Sequence, residues 1–444
     1  MSDTALPERR LDVRHAVSVC VGMVIGAGIF KTSPMVAGAL ASDTQLYLAW
    51  AFGGLLSLVG ALCFAEMAAA FPDAGGDYHF LRRAYGQRLG FLFAWSRFAV
   101  IHTGSMALLA FVFGDYLAQA IDLSPWLGPY ANAVLAAGLI LLLTALNLAG
   151  VRVGLGTQLG LMSVVLGGLA LLGGAGLSLG DTPPQTPLST AGATPDWGTA
   201  MIFVFLAYGG WSDAATLSAE MRDAKHGIVK ALLIGLALVM GLYLLANWAY
   251  LQGLGLAGLA ASPAPAADLM RVAFGRGGEL LIVGIVTLTA LSVMNAILIA
   301  GPRTTYAAAR DLAREFPSRS PGHSQERLAP LGGSAAYTRT GGAHVLGKWN
   351  AKRGTPTAAV LATRARATPL VAFGAATRGG FSTTVDYLTP VYGFYLCLSG
   401  AAVIVLRRRE PDAARPFKVP LYPLLPLLFV GCCAYLLYAS LVYV

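Results

Sequence analysis

The chain has 444 residues, of which 56% are hydrophobic and only 12% charged, and its mean hydropathy is +0.64. Soluble domains carry about 25% charged residues, so this composition excludes an ordinary soluble enzyme and points to a chain that crosses a bilayer many times. The net charge of +9 does not signal a nucleic-acid partner, because the Lys and Arg residues sort by topology.

Apolar runs separated by polar loops give spans at 15–39, 45–70, 90–118, 131–150, 156–178, 198–219, 229–252, 279–306, 355–376, 386–406 and 420–443. About eleven helices result, since a bilayer admits only helices or closed barrels and these runs are too long for barrel strands. With the N-terminus inside, most of the 31 Lys and Arg fall in inner segments, and only Arg271, Arg276 and Arg378 fall in outer loops. That asymmetry predicts a multi-pass protein of the plasma (inner) membrane with a cytoplasmic N-terminus. A cleavable leader is not expected, because the apolar stretch after Arg14 outruns a leader's apolar region.

The first span holds VSVCVGMVIGAGIF at 17–30, interrupted by Gly22, Gly26 and Gly28. Gly costs a helix interior about 1 kcal/mol relative to Ala, so Gly26-Ala27-Gly28 predicts a helix that comes apart in mid-membrane. Unwound backbone is tolerated at that depth only where it is buried in protein or lines a cavity, and the N–H end of a half-helix attracts anions. Close helix packing is the competing explanation for Gly22 and Gly26. Glu66 closes the second span, as an inner-gate residue or as the partner of an inner-loop Arg. In the third span, Arg97 is expected to snorkel toward the inner surface. His102, five residues on, shares no helical face closely with it and reads as a hydrogen-bonded packing residue, with proton sensitivity as the alternative.

The Pro/Thr-rich stretch 179–197 carries no Lys or Arg, as an outer loop should. In the sixth span, FVFLAYGGWSDAATLSAE sets Gly209-Gly210 between Tyr208 and Trp211. These aromatics lie too deep for an interfacial belt, which predicts a lining or gating role for them. Two glycine-interrupted spans five apart point to an inverted-repeat transporter. Glu220 closes this span as Glu66 closes the second. Asn295, at mid-depth in span 8, fits either an interhelical hydrogen bond or a coupling role facing the broken first helix. Residues 311–347 show no periodicity, and Arg364 and Arg366 make the ninth span irregular.

The expected organisation is a cytoplasmic N-terminus (1–14), a first repeat (15–178), an outer loop (179–197), a second repeat with an irregular segment at 311–347 (198–406), and a loop plus final helix (407–444). No catalytic residue, cofactor or metal site is expected. The histidines lack i, i+4 pairing, there is no HExxH and no GxxxxGK[ST], and the five cysteines all lie in apolar runs.

The Gly26–Phe30 segment GAGIF, FAEMAAAFPDAGGDYHFL at the end of span 2 and FLAYGGWSDAATLSAEM in span 6 resemble the amino acid–polyamine–organocation superfamily. So do GPRTTYAAARD after span 8, RGTPTAA before span 9 and RRREPDAARPFKVPLYPLLPLL before span 11. Within it, the likeness is to the L-type amino acid transporters and their bacterial relatives. The resemblance implies an all-α membrane protein with the five-plus-five inverted-repeat (LeuT-like) fold and sodium-independent transport of amino acids by alternating access. It implies that the N–H groups of Gly26, Ala27 and Gly28 hold a substrate carboxylate, and that the carbonyls of Val24, Leu206 and Gly209 receive its ammonium. No acidic pocket residue is expected in the outer halves of spans 1, 3, 6 or 8, which favours neutral amino acids over cationic ones.

Three departures from the family pattern stand out: Leu206 where a gating aromatic is expected, Val165 where many relatives carry a Lys, and no twelfth span. Proton-coupled import, cationic amino acid or polyamine antiport, and transport-inactive sensing are the alternatives. The partners expected are a small-molecule amino acid and the lipid bilayer, with no oligomeric partner indicated.

Overall fold

The computed structural model describes residues 11–106, 151–180, 194–223, 226–315, 345–350, 355–362 and 380–443, with the single residues 109, 113, 116 and 138. Among these, eight helices are long and apolar enough to cross a membrane. The expected span 131–150 apart from residue 138, residues 316–344 of the irregular segment and the arginines of the ninth span lie outside the described residues.

The first apolar run folds as three pieces: α1 (Val13–Val24), α2 (Ala27–Lys31) and α3 (Ser33–Ala39). α4 (Asp43–Ala70) follows, its first turn capped by Ser42, whose hydroxyl accepts from the Gln45 N–H at 3.3 Å. α5 (Asp77–Tyr85) and α6 (Gln87–Ser96) lead into a π-helical turn, Arg97–Ile101. α7 (Val151–Leu179) is the fifth span. α8 (Trp197–Ala207) is capped by Asp196, whose carboxylate accepts from the Thr199 N–H at 3.0 Å. A 3-10 helix, Trp211–Glu220, completes the sixth span. α9 (Gly227–Ala261), α10 (Pro265–Glu315), α11 (Gly380–Arg409) and α12 (Leu424–Tyr443) follow.

Two helices run longer than their apolar runs suggest, because each joins a second helix across a kink at a positive-φ glycine. These are Gly255 (φ 65°) in α9 and Gly275 (φ 65°) in α10. Periodicity cannot see this, since a kink leaves the apolar pattern on either side intact.

α1 sits among α7, α9 and α10, and its residues from Ser18 to Val24 are buried. The outer helices are apolar on their open sides as well: Leu48, Phe52 and Leu55 on α4, and Leu427, Leu428, Tyr438 and Leu441 on α12, are exposed. Helices apolar all round suit hydrocarbon as their surroundings. At the end of the molecule that carries the N-terminus, spans 1 and 6 meet. Leu11 pairs with this end of span 6 through two backbone bonds, to Glu220 O at 2.9 Å and from Arg222 N at 3.0 Å. An Asp12–Arg222 ion pair at 3.0 Å lies beside them.

Candidate functional site

The first span breaks where the glycines stand, and the three glycines do different work. Gly22 is a packing position, since a Cβ there would lie 1.8 Å from Nε2 of Gln158 on α7. Gly26 is the break itself, with φ −121° and ψ −149°, between the last residue of α1 and the first of α2. At Gly28 a Cβ would lie 2.9 Å from the Cα of Ala207, so the backbones of the two broken spans touch because this residue has no side chain. Packing and unwinding, posed as alternatives for this run, are thus divided between neighbouring glycines.

The sixth span turns at Tyr208–Gly210. Gly210 has φ 101°, a conformation that L side chains rarely adopt, and a Cβ there would stand 2.7 Å from the carbonyl oxygen of Met23. Its N–H donates to the hydroxyl of Tyr392 on α11 at 3.2 Å. Tyr243 of α9 joins the two breaks: its hydroxyl lies 2.8 Å from Val24 O and 3.0 Å from Ala207 O. Sequence reasoning missed Tyr243. The available signal was a tyrosine in the middle of a span, because a buried phenol needs a partner for its O–H.

Between the breaks lies a cavity of about 130 Å³. Of the residues expected to contact a substrate, Val24, Gly26, Gly28, Leu206 and Gly209 line it, while Ala27 opens α2 beside them. Two of the expected main-chain groups are already engaged with each other, as Gly26 N donates to Val24 O at 2.8 Å. Val24 O also lies within reach of Tyr243, and Leu206 O accepts from Gly209 N at 3.1 Å. The helix break is therefore closed on itself in this conformation, and a ligand would have to compete for those groups.

One wall of the cavity is charged. Arg97, Asp77, His102 and Asp213 are all buried, and the last two line the cavity. The Arg97 guanidinium donates to Asp77 Oδ2 at 2.9 Å, contacts Asp213 Oδ1, and lies 3.4 Å through Nε from His102 Nε2. His102 Nε2 is in turn 3.5 Å from Asp213 Oδ2.

This corrects two expectations. Arg97 does not snorkel, being only 3% exposed with carboxylates on either side. Residues 97 and 102 do share a face, because Arg97–Ile101 is a π-helical turn whose i→i+5 bond runs from His102 N to Arg97 O. The expectation that no acidic residue reaches the pocket covered the outer halves of the spans only. Asp213 lies just past the break in span 6, and it is matched by Arg97.

The other candidates lie elsewhere. Tyr208 and Trp211 do not line the cavity. The hydroxyl of Tyr208 donates to Trp50 O at 3.1 Å and its ring packs with Trp50 and Tyr243, whereas Trp211 packs between Phe64 and Phe429. The aromatic beside the cavity comes instead from another helix, as Tyr392 of α11. Asn295 donates to Gln158 Oε1 at 2.9 Å, and Gln158 donates to Ser292 at 3.0 Å. Asn295 therefore makes an interhelical bond, and its partner presses on α1 at Gly22. Glu66 is remote from the cavity. Arg407 holds it at 2.7 Å and 2.5 Å, and it accepts from Val419 N at 2.7 Å, tying the loop before α12 to α4. Glu220 forms a buried pair with Arg303.

Two broken spans facing one cavity in a bundle of apolar helices define a membrane transporter fold. A solved structure of a nucleobase-cation-symport-1 family transporter, closed with bromovinylhydantoin bound, shares this fold. Its TM-score is 0.61 at 14% identity, over 100% of this chain and 94% of that one. The fold is thus the all-α inverted-repeat transporter fold with its first and sixth helices broken. The family model described as amino acid permease matches residues 11–444, and the chain belongs to that family. It is 28% identical to the large neutral amino acids transporter small subunit 2 of Oryctolagus cuniculus, over 98% of this chain and 76% of the relative. It is 26% identical to the serine/threonine exchanger SteT of Bacillus subtilis, over 98% and 92%. The Asc-type amino acid transporter 1 of Homo sapiens is 26% identical over 99% and 79%.

Proposed function

We propose that this protein moves neutral L-amino acids across the inner membrane by alternating access, as a sodium-independent exchanger or facilitator. The observation that carries the reading is the cavity between the two breaks. Gly26, Ala27 and Gly28 begin a half-helix whose first-turn N–H groups lack partners within the helix and suit a carboxylate. The carbonyls of Leu206 and Gly209 suit the ammonium. Val24 O and Leu206 O become free for it once their bonds from Gly26 N and Gly209 N are released. The names of the relatives, which describe transporters of neutral amino acids and an exchanger of serine and threonine, support the same substrate class.

Pairing of Asp213 with Arg97 disfavours cationic amino acids and polyamines, because a second cation would face the guanidinium. The Lys and Arg distribution supports a cytoplasmic N-terminus. With that orientation, the Leu11, Asp12–Arg222 and Glu220–Arg303 contacts close the cytoplasmic side. Residues 15–178 and 198–406 are then the two repeats that move against each other, and Tyr208, Trp211 and Asn295 act through packing as they move.

Counterflow in proteoliposomes tests this reading. Vesicles loaded with unlabelled serine or leucine should accumulate the labelled amino acid without sodium, and empty vesicles should take up less. Binding without flux would overturn transport in favour of a sensor, and uptake of lysine or putrescine alone would overturn the neutral class.

A further inference from the structure

The segment RRREPDAARPFKVPLYP at 407–423 joins α11 to α12, and none of its residues lines the cavity. Its basic side chains divide into two sets. Arg407 and Arg415 turn inward. Arg407 holds Glu66 of α4, and Arg415 closes the end of α11 by donating to Leu406 O at 3.1 Å, Glu410 O at 2.8 Å and Ala413 O at 3.0 Å. Glu66 also accepts from Val419 N, and Arg83 of α5 donates to Glu410. With its main-chain groups engaged in this way, the loop is a fixed part of the fold.

Arg408, Arg409 and Lys418 form the second set. They are exposed, and none of them pairs with a carboxylate among the described residues. The loop sets one exposed acid against them, Asp412, since Glu410 is taken by Arg83. Arg407 also reaches Val419 O at 3.5 Å, which brings Lys418 beside the last turn of α11, where Arg408 and Arg409 stand.

Exposed apolar side chains begin directly beyond these cations. Leu421 is 70% exposed and is the one non-glycine residue with positive φ (49°) among the described residues. A backbone conformation that disfavours any residue with a Cβ here holds a large apolar side chain outward. Leu424, Leu427 and Leu428 continue the exposed face into α12. Gly431, where a Cβ would meet nothing within 4 Å, leaves a shallow gap between them and the exposed Tyr435.

A cationic corner that borders on an exposed apolar strip suits one class of molecule at both ends. We propose that the α11–α12 junction binds an anionic phospholipid, with its phosphate on Arg408, Arg409 and Lys418 and an acyl chain along Leu421, Leu424 and Leu428. A zwitterionic lipid would supply the chain but bring its own ammonium to the corner, and free phosphate would supply the charge without the chain. A cytoplasmic N-terminus places this lipid in the inner leaflet. Because the loop is bonded to α4 through Glu66 and to α5 through Glu410, the lipid braces those helices together with α11 and α12.

The test titrates the purified full chain in detergent with phosphatidylglycerol or phosphatidylcholine of the same acyl chains, read by native mass spectrometry and by melting temperature. Each cation beside an anionic lipid strengthens attachment by about fivefold. The wild type should therefore retain phosphatidylglycerol roughly tenfold or more above phosphatidylcholine, and its melting temperature should rise only with the former. Arg408→Gln, Arg409→Gln and Lys418→Gln combined should abolish that preference and leave phosphatidylcholine retention as it was. Lys418→Gln alone should remove about fivefold, which keeps the test readable if the triple variant aggregates. Lys230→Gln, at an exposed position in the first turn of α9, should keep the whole preference. Leu421→Ser should weaken both lipids alike. Equal retention of the two lipids by the wild type would overturn the proposal, as would an equal loss in Lys230→Gln and the triple variant. The same rise in melting temperature with inorganic phosphate alone would overturn it in favour of a free anion.

Discussion

In the first span the chain leaves the helix at Ile25 and Gly26 and resumes as α-helix at Ala27. In the sixth it turns through Tyr208–Gly210 and resumes as a 3-10 helix. The first break depends on missing side chains, since Gly28 lets the backbone of Ala207 approach and Gly22 accommodates Gln158. The second also uses a glycine, Gly210, but it is further held by a remote hydroxyl of its own, Tyr392 on the Gly210 N–H, while Tyr243 reaches a carbonyl on each break, Val24 O and Ala207 O. A break built from absent atoms is announced by local sequence. A break tethered by remote side chains is only half announced.

Substitutions can separate the two modes. The largest effect is expected at Gly28→Val, where the new side chain meets backbone that cannot rotate away. Overpacking of this kind costs about 3 kcal/mol, so amino acid binding measured by scintillation proximity should fall about 100-fold or more. Unchanged affinity would show that the two backbones need not touch.

Tyr243→Phe should be next. It removes the hydroxyl shared between Val24 O and Ala207 O at a cost of about 1–2 kcal/mol. Because that hydroxyl links the two breaks, kcat for exchange should change more than KM; a purely thermal loss, with normal kinetics, would make Tyr243 a packing residue. Tyr392→Phe removes the acceptor from one N–H only and should cost about 1 kcal/mol. It should weaken binding several-fold, and a loss as large as that of Gly28→Val would mean that the tethered break is the more demanding one.

The smallest effect belongs to a pair remote from both breaks. Hydrogen bonds from Arg83, at 2.6 Å and 2.5 Å, hold the Glu410 carboxyl below the usual range. A depressed folded-state value stabilises above the unfolded value of about 4.3, and that contribution is lost as pH falls through the lower folded value. Arg83 is exposed, so solvent screening reduces the contribution to about 0.5 kcal/mol. Melting of Glu410→Gln in detergent should fall slightly beneath the wild type at pH 7 and converge on it as pH falls through the lowered folded-state value, with substrate affinity unchanged. A change in affinity would extend the coupled region to the α5–α11 contact.

Among the described residues, eight spans were legible because a bilayer demands long uninterrupted apolar runs, and the positions of the breaks were legible because glycine is disfavoured in helices. Asn295 and Glu66 were legible as polar groups needing partners. Their partners, Gln158 and Arg407, were not, since each lies more than a hundred residues away. The aromatic pair misled for a physical reason: depth in the membrane says that Tyr208 and Trp211 are not interfacial, but it does not say which way they face. Their partners decided that: Trp50 O takes the Tyr208 hydroxyl, and Phe64 and Phe429 take the Trp211 ring.

By itself, the sequence determined a many-helix membrane chain with two interrupted spans, because hydropathy, helix propensity and the sorting of Lys and Arg are local or additive properties. Only the tertiary structure decided what lines the cavity between those spans. One π-helical turn at Arg97–Ile101 shifts the register so that residues 97 and 102 face the same way. Asp77 and Asp213 then reach them from other elements. Whether a buried charge is balanced depends on which distant charges share its few ångströms, and no local pattern records that.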